Sequence, residues 1–270
     1  MLYAFRRDNS RPTTTRKAEK ALQYVKRKET KRKMKPTIDT LVLEVTRKCN
    51  MACPHCLRGD AEALDMSIEL AIETLNKFSS IGSITFSGGE PTLRADLIEA
   101  VVNYIIENKI DVQSFYVASN GKEVSMTTMI ALARLYGYIA ESGYDTELCQ
   151  FDVSLDQYHD KIAAKNMNIL QAFSFVTHRN PIPQGGLINE GRASDNGIGC
   201  RNLHRYIEFT VDDDFDEPRY DMAYVNVKGN ILPGCDFSFA TQDELSDVNI
   251  TDGEDFAELA QRYNESLSCK

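Results

Sequence analysis

The sequence has no run of apolar residues near the roughly 20 that a membrane-spanning helix needs. Its first seven residues, MLYAFRR, lack the apolar core and the small-residue cleavage site of a secretory signal. The seven cysteines are an odd number and partly clustered, which argues against a secreted disulfide scaffold. With 42% hydrophobic and 26% charged residues, the composition is typical of a soluble globular protein. We therefore expect a cytoplasmic protein with no membrane partner.

Basic residues are scarce except at the N-terminus. Residues 1–36 hold 13 Lys and Arg against three Asp and Glu, whereas the whole chain of 270 residues has a net charge of −9. Such a basic arm could bind nucleic acid or an acidic partner. Ala18, Ala21, Leu22 and Val25 fall at helical spacing, which predicts a short amphipathic helix. We expect this helix to pack on the acidic body of the protein rather than to bind nucleic acid.

Three cysteines lie within eight residues, and no fourth is close to them. Cys49, Cys53 and Cys56 have the spacing C-x3-C-x2-C and follow the apolar segment Leu41–Val45. Structural zinc needs four ligands, and His55 lies between two of the cysteines, where it would strain a tetrahedral site. Three thiolates on one loop instead suit a [4Fe–4S] cluster. One iron then keeps an open coordination position, as a catalytic metal site requires.

The cysteine triad and a later segment together resemble the radical S-adenosylmethionine (radical SAM) superfamily. The later segment contains Gly88, Gly89, Glu90 and Pro91. Paired glycines let the backbone approach a ligand closely, and a carboxylate complements an ammonium group. The resemblance implies that this segment binds the methionine amino group of S-adenosylmethionine (AdoMet). It also implies that the open iron binds the amino and carboxylate groups of AdoMet.

Further residues match the family pattern more weakly. The resemblance implies that Asn120, at the end of a predicted strand, and Ser154 and Asp156, at the end of the next, contact AdoMet. It also suggests that Arg192, in a Gly-Arg-Ala segment, contacts the AdoMet carboxylate. Taken singly, an Asn-Gly pair is more often a plain turn, and an arginine is more often a surface residue.

From Ile38 onward, strand and helix patterns alternate, which predicts an α/β fold with a parallel sheet. The resemblance makes this a partial (β/α)6 barrel, with its site residues at the carboxyl ends of the strands. We expect three parts: the arm 1–36, the barrel core 37–180 and a C-terminal extension 181–270. The predicted strands are Leu41–Val45, Ser83–Ser87, Val112–Ala118, Leu148–Ser154 and Phe173–Val176. The predicted helices are Ser67–Phe78, with Ser67 as its N-cap, Ala95–Glu107, Met126–Ser142 and Lys161–Ala172.

The C-terminal part reads as a β-hairpin over Ala223–Cys235 and a helix over Asp255–Ser266. This order is similar to a shortened Twitch or SPASM extension of radical SAM enzymes. Cys200, Cys235 and Cys269 could hold an auxiliary iron–sulfur cluster. We favour the alternative that they are small buried apolar side chains, as scattered cysteines usually are. The sequence gives no metal-ligand partners for His159, His178 and His204.

The resemblance implies an enzyme that cleaves AdoMet reductively to a 5′-deoxyadenosyl radical, which takes a hydrogen atom from a peptide or small-molecule substrate. A flavodoxin or ferredoxin would supply the electron. Two alternatives stay open: a non-catalytic iron–sulfur binding or regulatory protein on the same fold, and an activase that installs a glycyl radical on a partner. The sequence does not identify a catalytic acid or base.

Overall fold

The computed structural model describes residues 35–179, 182, 185–202, 207–212 and 217–267, and it places their strands in one sheet. Five strands pair in parallel, each with the next along the chain. They are β1 (Thr37–Thr46), β2 (Ser80–Gly88), β3 (Asp111–Ser119), β4 (Gln150–Ser154) and β5 (Val176–Arg179). Residues 1–34 of the predicted arm lie outside the described residues. Cys269 lies outside them as well.

A sixth parallel strand completes the barrel-like part of the sheet. β6 (Val211–Asp212) is followed by β7 (Arg219–Val225), which pairs in parallel with β1 on the side away from β2. Among the described residues the order is β5-β4-β3-β2-β1-β7-β6, so β5 and β6 lie at opposite edges and the sheet is open. The predicted α/β fold with a partial six-stranded barrel is confirmed.

Three helices connect the first four parallel strands: α1 (Ile68–Leu75), α2 (Ala95–Asn108) and α3 (Met126–Glu141). Ser67 caps α1, as the sequence predicts, because its side chain accepts a hydrogen bond from the Leu70 N–H at 3.1 Å. The apolar stripes of these helices pack with one face of the sheet in a single buried core. None of the described helices is long and apolar enough to cross a lipid bilayer.

The other face of the sheet is polar at alternate positions. In β4, Phe151 and Val153 enter the core, while Gln150, Asp152 and Ser154 lie between them in the sequence. Parallel strands that are covered on both faces are almost continuously apolar. The alternation therefore marks a face that borders a cavity rather than a second core.

Later elements close the fold around the sheet. They are α4 (Ala164–Leu170), α5 (Gly191–Asp195), α6 (Phe239–Leu245) and α7 (Phe256–Leu267). β5 begins at Val176, later than the predicted Phe173–Val176, because Phe173 and Phe175 pack against each other before the strand starts. Phe175 also contacts the rings of Phe115 and Tyr136. The sequence did not predict α6.

The predicted C-terminal hairpin is present. β8 (Ile231–Leu232) pairs antiparallel with β7 through Tyr224–Leu232 and Val225–Ile231. Because β7 also pairs with β1, the hairpin is continuous with the main sheet. The proposed division of the chain at residue 180 stays a prediction.

Candidate active site

The cysteine loop starts where β1 ends, and a buried arginine anchors its first residues. Arg47 is fully buried, and its guanidinium forms ion pairs with Glu44 at 2.9 Å, Glu62 at 3.0 Å and Asp243 at 2.8 Å. It also lies 4.7 Å from the ring centroid of Phe239. Since Asp243 and Phe239 belong to α6, this network ties the cysteine loop to the C-terminal part of the chain.

The paired glycines at the end of β2 lie against the backbone of the cysteine loop. A Cβ on Gly88 would come within 2.1 Å of the Thr46 carbonyl oxygen, and one on Gly89 within 2.3 Å of the Lys48 carbonyl oxygen. The Gly89 N–H donates to the Thr46 oxygen at 2.8 Å. The sequence argument gave a ligand as the reason for glycine here. The structure instead shows that close contact between two backbone segments requires it.

Glu90 is buried at the start of a 3-10 helix (Pro91–Arg94) and accepts hydrogen bonds from the chain. Its Oε1 accepts from the Thr92 N–H and hydroxyl and from the Ser119 hydroxyl, and its Oε2 accepts from the Asn120 N–H at 2.8 Å. Burial raises the pKa of Glu90 despite these hydrogen bonds. A carboxylate has about four acceptor positions, so Oε2 keeps one for a further donor. Pro91 is buried as the first residue of the 3-10 helix.

A cavity of about 590 Å³ lies at the carboxyl ends of the strands and extends along the polar face of the sheet. It brings together the three cysteines of the loop and all of the proposed AdoMet contacts except Pro91: Cys49, Cys53, Cys56, Gly88, Gly89, Glu90, Asn120, Ser154, Asp156 and Arg192. The Asn120 Nδ2 lies 3.9 Å from the Cys49 Sγ and 2.8 Å from the Asn50 Oδ1. Residues far apart in sequence therefore meet in one place.

The three thiols of the loop are free. Burial raises the pKa of Cys49, and it raises that of Cys53 to about 11. The neighbouring charge of Arg192 opposes this rise at both cysteines. Without metal the thiols of Cys49 and Cys53 are therefore protonated near neutral pH, and metal binding would displace their protons. Three soft sulfur donors on one loop fit an iron–sulfur cluster.

The Gly-Arg-Ala segment and the residues after it form hydrogen bonds with the cysteine loop. The Arg192 N–H donates to the Cys56 carbonyl at 2.9 Å, and the Asn196 side-chain amide donates to the Pro54 carbonyl at 2.9 Å. Gly191 has φ +52°, and a Cβ there would lie 2.4 Å from the Gly59 nitrogen. Arg192 Nε is buried without a hydrogen-bond partner among the described residues. It is thus available to an acceptor on a bound ligand.

His55, which the sequence analysis rejects as a zinc ligand, and His159, to which it gives no role, meet beside the triad. His159 Nδ1 lies 2.8 Å from Asp156 Oδ1, and the rings of His55 and His159 are 5.0 Å apart. Burial alone would raise the pKa of Asp156, but hydrogen bonds from His159 and from the Tyr158 N–H lower it overall. Burial lowers the pKa of His55, whose Nδ1 has no hydrogen-bond partner among the described residues. Asp156 and His159 lie three residues apart in the turn after β4, whereas His55 comes from the cysteine loop.

The C-terminal part contributes Cys235 and Asp236 to the cavity wall. Burial raises the pKa of Cys235, and its Sγ lies 3.6 Å from Asp236 Oδ1. Arg58 also lines the cavity and donates to the Phe237 carbonyl at 2.6 Å. Cys200 is exposed, and its thiol lies 3.5 Å from the Ile198 carbonyl oxygen. The auxiliary cluster at Cys200, Cys235 and Cys269 stays a prediction.

The family model of the radical SAM superfamily matches residues 43–175, a segment that holds the end of β1, the cysteine loop and β2 to β4. These residues form a radical SAM domain. Its cofactors are accordingly a [4Fe–4S] cluster and AdoMet. A solved structure, native anSMEcpe with bound AdoMet, shares the fold with a TM-score of 0.52 at 13% identity, over 85% of this chain and 82% of that chain.

Curated relatives match the same region. A probable GTP 3′,8-cyclase of Methanopyrus kandleri is 37% identical over 129 residues, 46% of this chain and 36% of that protein. An AdoMet-dependent heme synthase of Oleidesulfovibrio alaskensis is 38% identical over 72 residues, 24% of this chain and 18% of that protein. The chain thus matches well under two thirds of the length of these radical SAM relatives.

Proposed function

We propose that the protein is a radical SAM enzyme in which Cys49, Cys53 and Cys56 hold the [4Fe–4S] cluster. The observation that carries this proposal is the placement of the three thiols in one cavity with the strand-end residues. When bound, the cluster and AdoMet supply a 5′-deoxyadenosyl radical that takes a hydrogen atom from the substrate. The protein's own residues bind and orient these groups and keep water away from them.

The cavity residues support specific roles in binding AdoMet. The remaining acceptor position of Glu90 and the backbone of Gly88 and Gly89 suit the ammonium group. The unpartnered Nε of Arg192 suits the carboxylate, because a guanidinium donates charge-assisted hydrogen bonds to carboxylates. Ser154 and Asp156 lie at the end of β4, where they suit the ribose hydroxyls. Asn120 lies beside the triad, with its Nδ2 3.9 Å from the Cys49 Sγ.

The substrate is a peptide or a small molecule that enters the same cavity, and a flavodoxin or ferredoxin supplies the electron. The names of the two curated relatives indicate dissimilar reactions, so the shared fold does not fix the substrate. The six described cysteines are all free, which supports a reducing, cytoplasmic setting.

The function is tested by formation of 5′-deoxyadenosine. The protein is reconstituted anaerobically with iron and sulfide and given AdoMet and dithionite, alongside Cys53→Ala. The matched control is Cys149→Ala, which removes a buried thiol of the core rather than of the cavity. We expect product from the wild type and the control, and none from Cys53→Ala. A wild type that holds a cluster but forms no product would favour the binding or regulatory alternative.

A further inference from the structure

Arg58 is a cation on the cavity wall that is fixed in place without an anionic partner from the described residues. It lies in the cysteine loop, partly buried, and lines the cavity. Its Nη1 donates to the Phe237 carbonyl at 2.6 Å, and its guanidinium carbon lies 5.0 Å from the ring centroid of Tyr224. The nearby Glu44 carboxylate is already bonded to Arg47 and to the Tyr224 hydroxyl. A cation removed from water needs a compensating charge, so this position suits an anionic group of a ligand.

The Arg58 guanidinium keeps one whole edge for a ligand. An arginine has five N–H donors in a planar arrangement. Arg58 uses Nη1 for the Phe237 carbonyl, whereas its Nε and Nη2 have no hydrogen-bond partner among the described residues. Neither of these two nitrogens is closed off from solvent. Nε and Nη2 share one edge of the guanidinium, and such an edge binds a carboxylate through two parallel hydrogen bonds.

A negative charge lies beside this cation on the same wall. Asp236 lines the cavity and directly precedes Phe237, the residue whose carbonyl holds Arg58. It is partly buried, and within the described part of the chain its carboxylate contacts the Cys235 thiol at 3.6 Å but no cation. Arg58 and Asp236 therefore do not neutralise each other. Two neighbouring and opposite charges of this kind suit a ligand that carries both a carboxylate and an ammonium group.

The wall around the two charges is apolar. It contains a small buried cluster formed by Val42, Tyr224, Leu232, Phe237 and Leu245. Met222 packs against this cluster, and both Met222 and Val42 line the cavity. Apolar surroundings lower the local dielectric constant and strengthen contacts between charged groups. An α-amino acid fits such a wall, because its carboxylate and ammonium group are on one carbon and its side chain can lie on the apolar surface.

The pair of Arg58 and Asp236 lies to one side of the proposed AdoMet contacts. Tyr224, the ring under Arg58, is on β7, which pairs with β1 on the side away from β2. The strand-end AdoMet contacts follow β2, β3 and β4, which are two to four strands from β7, roughly 10–19 Å along the sheet. The Arg192 guanidinium, which suits the AdoMet carboxylate, lies instead beside Asp60, at 3.4 Å. The pair is therefore left for a second molecule.

We propose that Arg58 and Asp236 bind an α-amino acid substrate, with Arg58 on its carboxylate and Asp236 on its ammonium group. This inference rests on the proposed function, since it assigns the strand ends and Arg192 to AdoMet. It makes the substrate a free α-amino acid rather than an internal segment of a peptide, because only the free amino acid carries both charges on one carbon. The Phe237 carbonyl and the Tyr224 ring fix the direction of the Arg58 edge.

The test measures which amino acids the protein retains and which of their charges it needs. An equimolar mixture of the proteinogenic L-amino acids is dialysed to equilibrium against the cluster-loaded protein, with excess AdoMet and without reductant. The excess AdoMet fills its own position, so the amino acids can bind only elsewhere. We expect at least one of them to be enriched on the protein side. Its amide and its deamino analogue, which each lack one charge, should bind at least about tenfold more weakly.

Two variants and one control assign the binding to this pair. Arg58→Gln keeps a donor for the Phe237 carbonyl and should remove the preference for the amino acid over its amide, whereas Asp236→Asn should remove the preference over the deamino analogue. Both variants should bind AdoMet as the wild type does. Arg262→Gln is the control, because Arg262 is 45% exposed, pairs with Asp252 and lies outside the cavity lining.

Three results would overturn the proposal. The first is a wild type that retains none of the amino acids, and this result needs no variant that folds. The second is a preference that is unchanged in Arg58→Gln and in Asp236→Asn. The third is AdoMet binding that falls about tenfold or more in both variants, because the pair would then belong to the AdoMet site.

This binding test is separable from the test of function. It needs no electron and no radical, so a wild type without 5′-deoxyadenosine formation would refute the proposed function and leave the binding result intact. Conversely, a wild type that forms 5′-deoxyadenosine but retains no amino acid would refute this inference alone.

Discussion

Replacing Gly89 by alanine should displace the cysteine loop. The new Cβ would lie 2.3 Å from the Lys48 carbonyl oxygen and 3.0 Å from the Arg47 carbonyl oxygen. An ordinary contact needs about 1 Å more, and the chain can supply it only by moving the backbone that leads into Cys49. That movement would break the hydrogen bonds from Gly89 N–H to Thr46 and from Glu90 N–H to Lys48, each 2.8 Å long.

The size of the effect follows from these contacts. Overpacking costs about 1–3 kcal/mol, and two weakened backbone hydrogen bonds cost about 0.5–1.5 kcal/mol each, so the free energy of unfolding should fall by about 2–6 kcal/mol. A shift of about 1 Å at the site should also lower the rate of 5′-deoxyadenosine formation about a hundredfold.

Urea unfolding of the apoprotein, followed by circular dichroism, measures the stability, and iron content after reconstitution reports on the cluster. Gly137→Ala is the matched control. It lies inside α3, where a new Cβ meets nothing within 4 Å, so the change should be neutral or stabilising by up to about 1 kcal/mol. A Gly89→Ala protein with wild-type stability and wild-type iron content would refute the argument from backbone contact.

Three further perturbations test other parts of the site. Arg47→Met leaves Glu44 buried without its cationic partner, so it should lower the free energy of unfolding by about 3–5 kcal/mol in the same urea experiment. Arg262→Met, which removes an exposed ion pair, is the control and should change the free energy of unfolding by less than about 1 kcal/mol. Glu90→Gln replaces one acceptor oxygen by a donor opposite the Asn120 or Thr92 N–H. It should therefore destabilise the fold by about 1–3 kcal/mol and weaken AdoMet binding in equilibrium dialysis. Unchanged stability and affinity would contradict the role given to Glu90. In the metal-free protein the pKa of Cys53 is about 11 rather than the ordinary 9.0, so its alkylation rate, measured by peptide mapping, should keep rising between pH 9 and pH 11. A rate that reaches its plateau near pH 9 would show that burial does not raise the pKa of this thiol.

The raised pKa of Cys53 also fixes the sign of a stability change. Between pH 9 and pH 11 the unfolded thiol loses its proton while the folded thiol keeps it, so the folded state binds more protons. The stability of the metal-free protein should therefore fall as the pH rises through this window. The same measurement on Cys53→Ala should show a smaller fall.

The sequence predicts those parts of the site whose residues lie close together in short segments of the chain. The cysteine loop, the Gly-Gly-Glu-Pro segment and the ends of β3 and β4 each carry their signal within a few adjacent residues, and parallel strands bring such ends to one edge. The Ser67 cap and the alternation of strands and helices are equally local. These predictions needed no information about which distant residues meet.

The parts that the sequence did not predict depend on distant contacts. Arg47 forms an ion pair with Asp243, which lies 196 residues later in the sequence, and no local pattern indicates that partner. The true neighbour of Gly88 is the backbone of β1, which is visible only once β1 and β2 pair. The sequence does carry one further signal: Asp152 is a charged residue between two apolar ones in a buried parallel strand, and this pattern indicates a functional face.

The central claim is that the cysteine triad holds a cluster and that one iron of this cluster is open to AdoMet. Electron paramagnetic resonance of the dithionite-reduced, reconstituted protein tests this claim, recorded with and without AdoMet. We predict a [4Fe–4S]⁺ signal in the wild type and in Cys149→Ala that changes when AdoMet is added, because the cofactor binds the open iron. Cys53→Ala should give no such response. A cluster signal that is identical with and without AdoMet, or one that survives intact in Cys53→Ala, would contradict the assignment of this loop as the radical SAM centre.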